Sequence, residues 1–280
     1  MNTEIKNAVN AAGDKAQYDN RVKRILSEKH ILAHILAKTV DEFKGMNPND
    51  IVTYIEGEPK IGIVPVEPGL TNIERTDESG QRVKGLNSEN VEANEGLIRF
   101  DIIFYVRLKS GLSQIIVNVE AQKDEPVSYK ILNRAIFYVS RLISSQKERD
   151  FVNTNYDDIK QVFSIWVCMN MEKNSLSHFH LKKDEMLEPY DWKGNTDLLN
   201  IVMIGVTNEL PEHDEKYELH RLIGALLSDR LRENEKLDIL EKEYKIPLSN
   251  DFRKQFGNMS RGILKRFLDK RVTLTNLCTP

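Results

Sequence analysis

Apolar residues recur along this chain with two different periods, and the switches between them lay out its elements. From Asp19 to Phe43 the set Val22, Ile25, Leu26, Leu32, Ile35, Leu36, Val40 and Phe43 follows helical spacing, and Gly45 with Pro48 stops it. Short apolar runs follow at Ile51–Ile55 and Ile61–Val66, with Gly and Pro between and after them. Residues 67–96 are polar, carry Gly69, Gly80, Gly85 and Gly96, and read as a long excursion.

The pattern then changes to strict alternation. Over 97–108 and 113–122 one face carries Phe100, Ile102, Phe104, Val106 and Leu108 opposite Ala121, Val119, Val117 and Ile115. The other face carries Arg99, Asp101, Tyr105 and Arg107 with Gln122, Glu120, Asn118 and Gln114, interrupted only by Ile103 and Ile116. This period of two predicts a half-buried hairpin. If Ser110 and Gly111 form its two-residue turn, Asp101 falls directly opposite Glu120. Like charges so placed repel, and a divalent cation between them would remove the penalty. A polar face of this kind is equally consistent with plain solvation. A slip of one residue would put the two acids on opposite faces.

Beyond the hairpin, Ser128 is a candidate cap for a helix over 129–147, with Ile131, Leu132, Ala135, Ile136, Val139, Leu142 and Ile143 as its core stripe. On that assignment Arg134, Tyr138 and Arg141 form a stripe opposite the core. Gln161–Met169 and Asn200–Val206 are continuous apolar runs, as expected of strands buried on both faces. A strand, a helix and a further strand imply a parallel crossover within a mixed sheet. Residues 215–244 read as one charged amphipathic helix, and Pro247 separates it from a last helical stretch over 250–270. The fold class is therefore α/β, with a mixed central sheet flanked by helices and a helical C-terminal extension. The organisation is a loose leader over 1–17, a core over 18–206 and a helical region over 207–280.

Composition narrows the setting without naming a chemistry. No stretch approaches the roughly 20 apolar residues of a membrane helix, and the polar N-terminus shows no signal-peptide pattern. Cys168 and Cys278 suggest neither a disulfide framework nor a zinc site, so a reduced cytoplasm is the default expectation. With a net charge of −3 the chain is no polycation, and any nucleic-acid contact needs local basic surface. Residues 251–271 offer such a stretch, with seven Lys or Arg against Asp251 and Asp269; a solvated helix face explains it equally well. His30 and His34 are spaced i, i+4, but the pattern of a zinc-binding helix is incomplete. His178 and His180 lie in a polar connection and read as surface.

An acid in the first hairpin strand, Glu120-Ala121-Gln122 ending the second and a helix after it resemble the PD-(D/E)XK nuclease superfamily. More closely, the chain resembles the PD-(D/E)XK family transposases, relatives of the bacterial recombination-promoting nucleases. The resemblance rests on Gly85-Leu-Asn-Ser-Glu89, Glu95-Gly96, Phe100-Asp101-Ile102, Val119 to Lys123, and Arg134-Ala-Ile-Phe-Tyr138 with Arg141. It runs over about residues 18–206, with Asn258-Met-Ser-Arg-Gly262 as a weaker C-terminal match. The resemblance implies a restriction-endonuclease-like fold and DNA cleavage using Mg²⁺, with Mn²⁺ as a substitute. It assigns Asp101 and Glu120 as metal ligands, and the Ala121 main-chain carbonyl is a plausible further oxygen. Gln122 stands where the superfamily has lysine, and it can hydrogen-bond the attacking water or a phosphate but cannot act as a base. Lys123 points to the opposite face, while Glu89 and Glu95 in the long loop are candidates to join such a site, although acidic loop residues are usually just solvated. Arg134, Tyr138 and Arg141 suit phosphate contacts, though a solvated helix face explains their spacing as well. Nucleases that cut both strands often work as dimers. The alternative expectation is a catalytically inactive nucleic-acid-binding protein that keeps the fold.

Overall fold

A computed structural model describes residues 22–61, 75–76, 82–83, 89–92, 96–99, 101–109, 114–122, 126–147, 149–228, 230–250 and 252–253. The chain divides into two compact units, Leu32–Thr207 and a second drawn from both ends, Met1–Ile31 with Asn208–Pro280. Helices are α1 (22–26), α2 (Lys29–Thr39), α3 (Pro48–Ile51), α4 (Ile131–Ser144), α5 (Glu218–Leu227) and α6 (Glu233–Asp238). Strands β1 (Ile55–Ile61), β6 (Ile102–Arg107), β7 (Gln114–Gln122), β8 (Gln161–Cys168), β9 (Ser175–His180) and β10 (Leu199–Gly205) form one sheet. Four short strands, β2 (Arg75–Thr76), β3 (Arg82–Val83), β4 (Glu89–Glu92) and β5 (Gly96–Arg99), pair two by two.

The six-stranded order is β1-β6-β7-β8-β10-β9. Strand β7 runs parallel to β8, and β8 parallel to β10, while the remaining neighbours are antiparallel. The sheet is therefore mixed and flanked by helices, as the apolar runs and the intervening helix predict. Strand β8 is buried from Val162 to Cys168, which is why its sequence shows no alternation. In the hairpin, Ile102 pairs with Val119 and Arg107 with Gln114. This is the register expected of a Ser110-Gly111 turn, although the turn itself lies outside the described residues.

Three expectations change. The hairpin is not half-buried over 101–106, where every residue is buried. The face carrying Ile103 and Tyr105 packs with Tyr138, Val139 and Leu142 of α4 and with Trp166 of β8. Helix α4 is also rotated from its predicted phase, because Tyr138 and Arg141 are buried while Ile136 and Phe137 are 48% and 46% exposed. Tyr and Arg carry long apolar stems, so a helix can turn them inward when the opposing sheet offers polar partners. Nor does Ser128 cap this helix. The N-cap is Lys130, which makes no side-chain capping bond.

The eight apolar residues of the first helical pattern are all buried, but the helix breaks at Ser27–Glu28 into α1 and α2. Gly45 ends the region at φ +76°, a left-handed conformation that glycine adopts without a Cβ penalty. Strand β9 is a further departure, since its Ser- and His-rich sequence has no apolar alternation to announce it. Its residues are exposed, as expected of the segment around His178 and His180.

In the unit drawn from the chain ends, the helix predicted over 215–244 is broken. Ser228 leaves helical geometry at ψ 135°, and its Oγ accepts from the Arg230 and Leu231 amides. A side chain that competes for main-chain donors ends one helix and starts the next. Leu219, Leu222, Ile223, Leu226 and Leu227 are buried as predicted, whereas Leu231 is only partly so. Buried Lys236 donates to the Leu226 carbonyl at 3.3 Å, satisfying the C-terminal end of α5. Of the helical stretch expected over 250–270, residues 250 and 252–253 are described, and Arg253 there pairs with Glu241. Among the described residues no helix is long and apolar enough to cross a membrane.

Arg221 forks onto Glu243 at 3.0 and 3.1 Å and also donates to the Pro211 carbonyl. The Arg221 hydrogen bonds hold the Glu243 carboxyl below its ordinary range. A carboxylate with a depressed folded-state pKa stabilises above its unfolded pKa, and that contribution is lost as pH falls through the folded value. Glu243→Gln is expected to cost about 1 kcal/mol near neutral pH. In thermal melts the gap from wild type should close as the solution is acidified through the carboxylate range.

Candidate active site

The site is built where β6 begins and β7 ends. Asp101 sits at the bend just before β6, one residue from the paired Ile102 and Val119, so the hairpin register carries it opposite Glu120. Each acid holds the other's strand. The Asp101 amide donates to Glu120 Oε1 at 3.0 Å, and the Ala121 amide donates to Asp101 Oδ2 at 3.0 Å. Asp101 is 9% exposed and Glu120 2%. Two carboxylates are thus withdrawn from water side by side, an arrangement that asks for compensating positive charge.

Main-chain direction adds a third oxygen. The Gln122 carbonyl accepts from the Met169 amide at 2.8 Å, so Gln122 turns its main chain toward β8. Successive residues of a strand alternate, which turns the Ala121 amide and carbonyl toward the Asp101 side. Two carboxylates and one carbonyl are hard oxygen donors, suited to Mg²⁺, which keeps most of its waters and takes few protein ligands. Among the described residues no group of three or more His, Cys, Asp or Glu side chains could hold a metal ion. A cation that needs a dedicated cage, such as structural Zn²⁺, therefore fits this donor set poorly.

Helix α4 brings the cationic component. Arg134 donates to the Tyr138 hydroxyl at 2.7 Å and the Tyr129 hydroxyl at 3.0 Å, and lies 3.5 Å from Gln122 Oε1. Its guanidinium carbon is 4.7 Å from the Tyr138 ring centre and 5.3 Å from that of Trp166. Both are within cation–π range. Burial disfavours the Arg134 charge, but Tyr138 and Glu120 outweigh it and keep the group above its ordinary range. Burial raises the Tyr138 hydroxyl, Arg134 opposes, and Glu120 and Asp101 push it further up. Tyr138 is therefore held protonated at neutral pH while its oxygen accepts from Arg134.

Asp101, Glu120, Ala121, Gln122, Arg134 and Tyr138 are brought together at one end of the hairpin. Arg141 lies about 10 Å along the helix axis from Arg134, and burial disfavours its charged form. Glu89 opens β4 opposite Arg99, whereas Glu95 and Lys123 lie outside the described residues. Sequence reasoning missed Tyr129 and Trp166. Trp166 is the β8 partner of Glu120 in the parallel register, and no local signal specifies that pairing. Tyr129 precedes α4 and could have been found only as an aromatic one turn before Arg134.

Comparison with known proteins returns no match to any family model, curated protein or solved structure.

Proposed function

We propose that this chain is a divalent-metal-dependent DNA endonuclease with a restriction-endonuclease-like core, of the PD-(D/E)XK transposase type. The observation that carries the reading is the buried cross-strand pair of Asp101 and Glu120 beside the Arg134–Tyr138 couple. Asp101, Glu120 and the Ala121 carbonyl would hold Mg²⁺ or Mn²⁺. The ion, when bound, supplies a water of lowered pKa and positive charge for the phosphate oxygens. The Gln122 amide orients that water or a phosphate oxygen and takes no proton. Arg134 offers a fixed positive charge toward the phosphate, anchored by Tyr129 and Tyr138 and stacked on aromatic faces. It thereby supplies positive charge near the position where the superfamily has lysine.

Supercoiled plasmid incubated with the full chain should be nicked with Mg²⁺ or Mn²⁺ and spared with EDTA. Arg134→Ala should weaken DNA binding and lower the salt slope by about one unit, while calorimetric Mn²⁺ binding persists. Loss of Mn²⁺ binding in that variant would count against Arg134 as a phosphate contact.

A second reading is a nucleic-acid-binding protein that retains the fold without catalysis. Glu120 is 2% exposed and its Oε1 already accepts the Asp101 amide, which favours a structural role for that acid. Gel-shifted DNA that stays intact under every divalent metal would establish this reading over the first.

A further inference from the structure

Among the described residues, the sheet ends on an exposed strand whose outer edge has no paired neighbour. Strand β9 is the last in the order, pairs with β10 on one side, and has six exposed residues. Natural edge strands are blunted by lysine, proline, a bulge or brevity. Ser175-Leu-Ser-His-Phe-His180 has no Lys or Pro, and its register with β10 runs unbroken.

Hydrogen bonding fixes which main-chain groups are on the open side. The Val206 amide donates to the Cys168 carbonyl at 2.8 Å, so Val206 faces β8. Alternation along β10 then turns Ile201, Met203 and Gly205 toward β9, where their partners are Phe179, Ser177 and Ser175. Leu176, His178 and His180 consequently aim their amides and carbonyls outward.

A second feature follows directly in the chain. Residues 181–195 form an exposed arm on which Met186 is 97% exposed, Leu187 89%, Trp192 77%, Tyr190 63% and Leu181 57%. With Leu176 and Phe179 of the strand, these side chains present on the order of 800 Å² of surface, about one partner's share of a standard interface. The arm's charges nearly cancel, since Lys182 pairs with Asp184, Lys183 with Glu185 and Lys193 with Asp191, and Glu188 leaves a net charge of −1. Two copies of it would meet without strong repulsion.

We infer that β9 and the 181–195 arm form a homodimer interface, in which β9 pairs antiparallel with β9 of a second copy about a two-fold axis. A strand can pair with its own copy in a closed, two-fold way only when antiparallel. The outward groups place the axis at His178, with Leu176 opposite His180 of the partner and about six main-chain hydrogen bonds across the seam. The apolar side chains of each arm cover the seam and supply the buried area that a three-pair ladder lacks. This interface is independent of whether the chain cleaves DNA.

Sedimentation velocity of the full chain over a dilution series should show a monomer–dimer equilibrium. Leu176→Pro removes an outward amide without breaking a bond to β10 and should weaken the dimer by about tenfold or more. Trp192→Ser should weaken it comparably while leaving the circular dichroism spectrum unchanged. Hydrogen exchange should show the Leu176, His178 and His180 amides protected at high protein concentration and exchanging on dilution. A chain that is monomeric at every concentration overturns the inference, as does a dimer unchanged by both substitutions. Protection of the His178 amide that ignores dilution also overturns it, because the edge would then be covered from within the same chain. If Leu176→Pro fails to fold, Trp192→Ser and the exchange pattern decide.

Discussion

Asp101→Asn is expected to abolish metal-dependent nicking while making the metal-free protein more stable. The amide keeps an oxygen that can accept the Ala121 amide, so the strand ends stay joined. What disappears is one of two like charges set face to face across the hairpin, an arrangement destabilising by up to about 1 kcal/mol. Activity should fall at least about a thousandfold, because the remaining carboxylate no longer completes the site for the cation. Glu120→Gln should behave alike, since its amide oxygen can still accept the Asp101 amide. Mn²⁺ should raise the melting temperature of the wild type, adding about 2.7 kcal/mol of stability at a hundredfold excess over the dissociation constant. It should leave both variants unmoved. Cutting that persists in both purified variants would remove these acids from the mechanism, and equal Mn²⁺ stabilisation of all three proteins would remove them from the metal site.

Trp166→Ala carries the largest expected loss of stability. The indole is fully buried in β8, donates to Ser164 Oγ at 2.9 Å and packs 5.5 Å from the Tyr138 ring. Truncating a buried Trp costs about 3–5 kcal/mol, a large part of the roughly 5–15 kcal/mol that holds a domain together. Trp166→Phe should retain most of the packing and lose about 1–2 kcal/mol with the indole donor. The indole also backs Arg134, so the Phe variant should bind DNA less tightly than its modest change in stability suggests. Urea denaturation measures the first effect, and a loss below about 1 kcal/mol for the alanine variant would show that this region repacks freely.

The hairpin was readable because its signals are local. Alternation assigns the faces, a two-residue turn read at Ser110-Gly111 in the sequence predicts the register, and the observed pairing of Ile102 with Val119 agrees with that register. The buried runs of β8 and β10 were equally plain, since strands covered on two faces are apolar almost throughout. The phase expected of helix α4 differs from the observed one because hydrophobicity alone ranks Ile136 above Tyr138 and Arg141. The inward face was chosen by what the sheet presents, namely Asp101, Glu120 and Gln122, and that becomes visible only after the strands are paired. Strand β9 left no trace because its pairing with β10 is tertiary and its side chains face solvent. The interruption at Ser228 is silent in the sequence for a different reason. A single hydroxyl competing for two amides leaves the apolar periodicity on either side intact.

The bonds that tie Asp101 to Glu120 and to the Ala121 amide span 19 and 20 residues, whereas β8 reaches β7 only through the whole α4 crossover. Contacts of short sequence separation form first, a hairpin closing in about 1–10 μs and non-local parallel pairing far later. The two acids therefore meet while the chain is still open, before Trp166 and Arg134 can surround them. Their repulsion is already in place in the early hairpin and persists in the finished sheet, so neutralising either acid should speed refolding more than it slows unfolding.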